Sequence, residues 1–241
     1  MNPARESNKE KEEYVHSIFS SIAGCYDLLN TVLSFNRDKY WRRFAVVRTE
    51  LQPGGKGLDV CCGTGMLALE QSKVVGANGR VTGLDFCANM LAKASENISR
   101  TPFAGVIELV LGKATEMPFP DNTFDCATIG FALRNVPDIR KTIGEMRRVV
   151  RPGGKVVSLE LSKPGAFLFK QIYYLYFNHV VPFLGRIGVG LTGPYSYLPN
   201  SLKDFPHQAE IRDLFAAEGL AGAHYYELTG GVVAVHVGTK V

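Results

Sequence analysis

"GLDVCCGTGMLALE" occupies residues 57–70 and sets a glycine-rich turn between two different periodicities. Leu58, Val60 and the two cysteines make a short apolar run suited to a buried strand, and "GMLALEQSKVV" that follows reads as a helix. Strand, glycine turn and helix, in that order, is how a doubly wound sheet presents a loop to a ligand at the carboxyl ends of its strands. Glycine at 63 and 65 lets the backbone turn sharply and approach a ligand where a Cβ would collide. Cys61 and Cys62 lack a further Cys or His at metal-ligand spacing, and adjacent cysteines bridge only with strain. They are expected to pack as small apolar side chains at the strand end, and no metal site is expected.

Working outward, the same alternation continues. "GRVTGLDF" is a second strand with a helix over 89–99, "GVIELVLG" a third strand and "FDCATIGFAL" a fourth. "VPDIRKTIGEMRRVV" is amphipathic, with Ile139, Ile143, Met146 and Val150 on one side, and "KVVSLEL" is a fifth strand. Strands alternating with helices form right-handed βαβ units and a parallel sheet covered on both faces. After Ser162 the alternation lapses, then resumes with the helix "QAEIRDLFAAEG" and the strands "GAHYYEL" and "GVVAVHVG". Only "LTGG" joins those two strands, so they are expected to pair as an antiparallel hairpin at the sheet edge. Residues 14–50 carry helical spacing (Val15, Ile18, Phe19, Ile22), and "QPGG" at 52–55 breaks the chain. This predicts a helical cap over 1–50 and a main domain over 51–241, with an aromatic insertion at 163–204.

Composition excludes several function classes. A net charge of +4 over 241 residues, without a long basic run, does not point to nucleic acid. The densest basic stretch, Arg37 to Arg48, is interleaved with Tyr40, Trp41 and Phe44 and suits either a solvated helix face or an anionic membrane surface. "MNPARESNKEKEE" has no apolar leader segment and reads as a frayed tail running into a helix. With five cysteines and no export signal, the chain is expected in the reducing cytoplasm, with or without membrane association. The apolar stretch "AFLFKQIYYLYFNHVVPFLG" at 166–185 contains Lys170, His179 and Pro182, which favours a buried or interfacial helix over a membrane span.

The ligand of the turn follows from its neighbours. Asp85 ends the second strand about twenty residues after Gly65, where a carboxylate accepts hydrogen bonds from ribose hydroxyls or caps the next helix. The third glycine of a pyrophosphate loop is missing, as is the lysine of a P-loop, which disfavours a nicotinamide oxidoreductase and a nucleotide triphosphatase. Asp59, just before the glycines, suits a ligand bearing an ammonium group. S-adenosylmethionine (SAM) has that group, a ribose for Asp85 and an adenine to lie against the third and fourth strands. The fold expected is therefore α/β, a class I SAM-methyltransferase Rossmann-like fold with seven strands, mostly parallel, and helices on both faces.

From about Tyr14 onward the chain resembles the quinone-biosynthesis C-methyltransferases, which methylate demethylmenaquinol or a prenylated benzoquinol. The stretches that carry the resemblance include "YDLLN", "WRR", "LDVCCGTG", "MPFPDNTFD", "IGFALRNVPD", "RVVRPGGKVV", "YLPNS" and "TGGVVAVHVGTK". It implies that SAM meets Asp59, Gly63, Thr64, Gly65, Asp85 and Phe86, that the Lys113–Ala114 backbone lies near the adenine, and that Gly130 flanks the methionine part. It also implies that Arg134, Asn135 and Tyr26 face a prenylated quinol, with Arg134 favouring the phenolate that makes a ring carbon nucleophilic. Read alone, Arg134 suits a salt bridge equally well. His179 and His236 are expected as core residues rather than proton carriers. The aromatic segment would form a lid and tail groove, and peripheral membrane contact and a homodimer are compatible with it.

Three residues depart from the family pattern: Lys113 where Asp or Asn is usual, Met66 for Asp, and Asp38 for His. Lysine accepts no hydrogen bond, so an adenine amino group must find its acceptor elsewhere. Two other readings stay open, a SAM-dependent methyltransferase of another small aromatic or polyketide, and a non-catalytic SAM-binding partner of quinone enzymes.

Overall fold

The strand β1 (Lys56–Val60) lies inside a seven-stranded sheet, beside its central strand, and four of its five residues are buried. In this computed structural model the described residues are 3–165, 197 and 201–241, with side chains from residue 9 on. The other strands are β2 (Arg80–Asp85), β3 (Ile107–Leu111), β4 (Phe124–Gly130), β5 (Val150–Leu161), β6 (Leu220–Leu228) and β7 (Val233–Lys240). Their order is β3-β2-β1-β4-β5-β7-β6, with β7 antiparallel to both β5 and β6 and every other pairing parallel. A short 3-10 turn at Thr229–Gly231 closes the expected hairpin. The chain runs outward from β1 to β3 and then returns to the other side of β1 with β4, so the topological switch point lies between β1 and β4.

Helices cover both faces because the central strands are apolar on both. On one face, α6 (Ile139–Val149) and α7 (Gln208–Ala217) bury Ile143, Met146, Ile211 and Phe215 against Leu58, Leu84 and Ile129. The side chain of Asp138 caps α6 by accepting the Lys141 N–H at 2.9 Å. On the other face lie α4 (Met66–Val75) and α5 (Ala88–Ser99), whose Leu69, Ala94 and Ile98 pack together. The buried amide of Gln71 donates to Thr128 Oγ1 at 2.8 Å and to the Leu58 carbonyl at 3.3 Å, which ties α4 to β4 and β1. Gly57 leaves room for that amide, since a Cβ there would lie 2.0 Å from Gln71 Oε1.

The N-terminal residues form three helices, α1 (Pro3–Ile22), α2 (Tyr26–Leu33) and α3 (Asp38–Val47). Helix α3 packs on the sheet itself: Trp41 and Ala45 share a core with Val157, Leu159 and Val235, and Trp41 Nε1 donates to Thr229 Oγ1 at 2.9 Å. Helix α1 buries Val15, Ile18 and Ile22, the last two with Cys87 and Met90 beside α5. The expected frayed tail is instead helical from Pro3, and its Lys11 and Glu12 bond to distant parts of the chain. No local pattern announced those partners, so the charged composition read as a loose end. Asp38 is buried in an ion pair with Arg42 and accepts from Ser34 Oγ at 3.0 Å, a structural place for one of the three departures. The aromatic stretch at 166–185, with His179, lies outside the described residues.

Candidate active site

A cleft of about 680 Å³ opens at the carboxyl ends of β1, β2 and β4, beside the switch point. Gly63, Asp85, Phe86 and Met90 line one part of it, Lys113, Ala114 and Thr115 the part beyond β3, and Gly130, Phe131, Ala132 and Asn135 the β4 side. Glu12, Val15, Phe19 and Tyr26, from α1 and α2, cover it. Eight of the expected site residues thus line the cleft: Tyr26, Gly63, Asp85, Phe86, Lys113, Ala114, Gly130 and Asn135.

The backbone at the two strand ends is held in unusual conformations. Cys61 after β1 has φ +53 and Phe131 after β4 has φ +57, and both line the cleft. A left-handed conformation costs a residue with a Cβ roughly 1–2 kcal/mol, and such positions gather where the surroundings over-determine them. Cys61 is therefore part of the cleft wall, which corrects the expectation that both cysteines merely pack. Cys62 does pack, beneath Gly83, whose Cβ would approach its sulfur to 3.0 Å. Burial pushes both thiols well above the ordinary cysteine range, so neither is a thiolate nucleophile.

Four expected site residues do not line the cleft. Gly65 has φ +80 and begins α4, with the site of its missing Cβ 3.3 Å from Ile98 on α5. Thr64 is buried and donates to Asp27 Oδ1 at 2.6 Å, while Asn97 Nδ2 donates to Asp27 Oδ2 at 3.0 Å and to the Thr64 carbonyl at 3.1 Å. Asp27 of "YDLLN" thus clamps the glycine loop between α2 and α5, a role the sequence reading missed. Met66, the second departure, packs beside Leu69, Ala94 and Ile98.

Asp59 is 1% exposed, accepts from Thr128 Oγ1 at 2.9 Å, and has an Oδ2 with no hydrogen-bond partner among the described residues. Burial raises its pKa from 3.8 to about 7 against the lowering effect of the Thr128 bond. A carboxyl whose folded pKa lies above its unfolded value is protonated only in the folded state between the two, so it lowers stability as pH rises through that window. From about pH 4 to about pH 7 Asp59 is expected to cost the folded protein up to about 4 kcal/mol, with no further change above. Urea midpoints across this range should fall less steeply for Asp59→Asn than for the unaltered protein.

The resemblance implies that Arg134 faces the quinol ring. Its guanidinium is instead buried in an ion pair with Glu160, donates to the Phe131 carbonyl at 2.8 Å, and has Nε 3.3 Å from Ser201 Oγ. The Glu160 carboxylate also accepts the N–H groups of Arg134 at 3.2 Å and Leu161 at 2.8 Å. The physical reason is desolvation: a guanidinium this far from water is costly to bury unless an anion is paired with it. Glu160 sits inside an apolar strand pattern, and no sequence signal linked it to Arg134. Asn135 reaches the cleft and accepts from the Tyr197 hydroxyl at 2.9 Å. Burial raises the pKa of Tyr26, partly offset by nearby Arg134. His236 Nε2–H donates to the Gln208 carbonyl at 2.9 Å, and burial lowers its pKa to about 4, so it is a neutral core residue.

The residues present fit SAM. Gly63 has φ +54, and a Cβ there would meet nothing within 4 Å, so the backbone at this point faces open cleft. Asp85, 6% exposed, accepts the Gly63 N–H at 2.8 Å through Oδ2 and the Cys87 N–H at 2.9 Å through Oδ1. Each oxygen keeps a second lone pair for a ribose hydroxyl.

Two solved structures share the fold, a SAM-dependent methyltransferase from Aquifex aeolicus and one, described as putative, from Methanococcus maripaludis. The first is 18% identical with a TM-score of 0.65, covering 89% of this chain and 98% of that one. The second is 17% identical with a TM-score of 0.67, covering 92% and 93%. The protein named demethylmenaquinone methyltransferase in Desulfitobacterium hafniense (strain Y51) is 50% identical over 234 residues, 97% of this chain and 92% of that protein. Its namesake in Bacillus subtilis (strain 168) is 44% identical over 230 residues, 95% and 98% of the two. Residues 7–240 match the ubiE/COQ5 methyltransferase family as a whole, from the helix that covers the cleft to the last strand of the sheet, and the chain belongs to that family.

Proposed function

We propose that the protein methylates a ring carbon of a prenylated quinol, demethylmenaquinol to menaquinol, with SAM as methyl donor. The observation that carries this reading is one cleft lined both by Gly63 and Asp85, after β1 and at the end of β2, and by Tyr26 and Asn135. The relatives of similar length named for this reaction support it. When bound, SAM supplies a methyl group activated by a sulfonium. The tasks left to the chain are to align the ring carbon, exclude water and make the ring electron-rich. A quinol hydroxyl has a pKa near the ~10 of a phenol, so its deprotonation must be assisted. Tyr26 and Asn135, which line the cleft, would hold that hydroxyl, and Arg134 would orient Asn135 through the Phe131 carbonyl that both side chains bond. Alignment of this kind accounts for a large part of the barrier reduction in two-substrate reactions.

The test is incubation with isotope-labelled SAM and demethylmenaquinone, reduced or oxidised, beside soluble phenols, with mass analysis of the products. The expected product is one labelled methyl on the reduced quinone alone. Methylation of soluble phenols only would favour the reading as a methyltransferase of another small aromatic. SAM binding without any product would favour the non-catalytic reading.

The substrate's lipid tail suggests where the protein meets a membrane. Leu28, Val32 and Phe35 are 66%, 46% and 77% exposed at helical spacing along and just after α2, next to the exposed Arg37, Lys39 and Tyr40. An apolar face edged by cations is the makeup of an interfacial helix on anionic lipid. Among the described residues no helix is long and apolar enough to cross a membrane. Cosedimentation with phosphatidylglycerol vesicles is expected to fall severalfold for Leu28→Ser/Phe35→Ser and to be weak with phosphatidylcholine alone. Equal binding of the variant would remove this face from the reading. Most of the 163–204 insertion, expected from the sequence to form a lid and tail groove, lies outside the described residues.

A further inference from the structure

The part of the cleft beyond Asp85, at the end of β3, is lined by Lys113, Ala114 and Thr115. In a doubly wound sheet with a ribose carboxylate at the end of β2, this is where the base of a nucleoside comes to rest. Lys113 brings only donors to that wall. Only two carboxylates line the cleft among the described residues, and the one not assigned to the ribose is Glu12 of α1. Lys113 Nζ donates to Glu12 Oε2 at 2.7 Å across 101 residues of sequence. Glu12 Oε1 has no hydrogen-bond partner among the described residues. One residue earlier, Lys11 Nζ donates to the carbonyls of Val136 at 2.8 Å and Arg134 at 3.4 Å. This turn of α1 is thereby fixed to both sides of the cleft, and Glu12 is held over its base end.

The pair presents an acceptor beside a donor. Adenine offers the complement, an amino group that donates and a neighbouring ring nitrogen that accepts. Hypoxanthine reverses both, with a carbonyl oxygen in place of the amine and a protonated ring nitrogen. We propose that Glu12, oriented by Lys113, accepts the adenine amino group and that the Lys113 ammonium faces the adjacent ring nitrogen. The N-terminal helix then supplies the base specificity that residue 113 by itself lacks. This rests on the reading of the cleft as a SAM site and deepens it.

The test is calorimetric binding of S-adenosylhomocysteine against S-inosylhomocysteine, in the unaltered protein, Glu12→Gln, Glu12→Ala and Lys113→Met. The unaltered protein is expected to prefer the adenosyl compound by about ten- to a hundredfold, the range of a bidentate base contact. Glu12→Gln still has a carbonyl acceptor and keeps part of the preference, whereas Glu12→Ala should bring it within about threefold of unity. Lys113→Met should lower it to an intermediate value. If Glu12 only fastened the helix, Glu12→Ala would weaken both compounds equally and leave the ratio unchanged, which overturns the proposal. An unaltered protein that binds both compounds equally also overturns it but leaves the SAM reading standing. One that binds neither removes the SAM reading itself.

Discussion

Replacing Asp85 by alanine is expected to weaken SAM binding by about a hundredfold or more. Hydrogen bonds to a charged group contribute about 1.5–3 kcal/mol each, and the proposed partners of Asp85 are the ribose hydroxyls of SAM. The carboxylate also accepts the N–H groups of Gly63 and Cys87, so its loss loosens the glycine loop as well as the ribose contact. This makes the isosteric Asp85→Asn nearly as damaging: one carboxylate oxygen becomes an NH₂ that faces a backbone donor. Burial already raises the Asp85 pKa, opposed by the N–H groups of Cys87 and Gly63, so the charge in this site depends on those donors. Calorimetry with SAM, together with thermal melts to show that the fold survives, checks the prediction. A dissociation constant for Asp85→Ala within threefold of the unaltered protein would falsify the ribose assignment.

Removing Glu160 should have the largest effect on stability. Glu160→Ala leaves the Arg134 guanidinium buried without its anion, and a buried pair broken on one side typically costs about 3–5 kcal/mol. Arg134→Ala is expected to cost less, because Glu160 keeps the N–H of Leu161 and the backbone N–H of residue 134 and is able to take up a proton. Replacing both together, Arg134→Met with Glu160→Leu, should recover most of the loss, as apolar pairs of similar volume often do. That double variant separates the two roles of Arg134. With urea midpoints near those of the unaltered protein, a large fall in methyl transfer at unchanged SAM affinity would show that Arg134 positions the Phe131–Asn135 turn for the quinol. Unchanged transfer would leave Arg134 as a structural ion pair alone.

The departures from the family pattern illustrate how far residue identity carries without its surroundings. Asp38 looked like a lost histidine and lies in a buried pair with Arg42. Met66, where Asp is usual, is part of the α4–α5 contact. Lys113 is different, since it does line the cleft and its consequence is carried by Glu12. Similarly, Asp59, Thr64 and Gly65 belong to the motif that announces the site but act behind its wall, through Thr128, Asp27 and α5.

From sequence alone came the order of strands and helices, the parallel sheet with its antiparallel edge, the glycine turn and the carboxylate twenty residues beyond it. These were legible because periodicity and turn chemistry are local, and a switch point follows from the order of βαβ units. The tertiary structure alone decided which residues face the cleft and which pair behind it. Asp27 with Thr64, Arg134 with Glu160 and Glu12 with Lys113 are separated by 37, 26 and 101 residues. Charges pair through space wherever burial removes water, and no spacing along the chain records that.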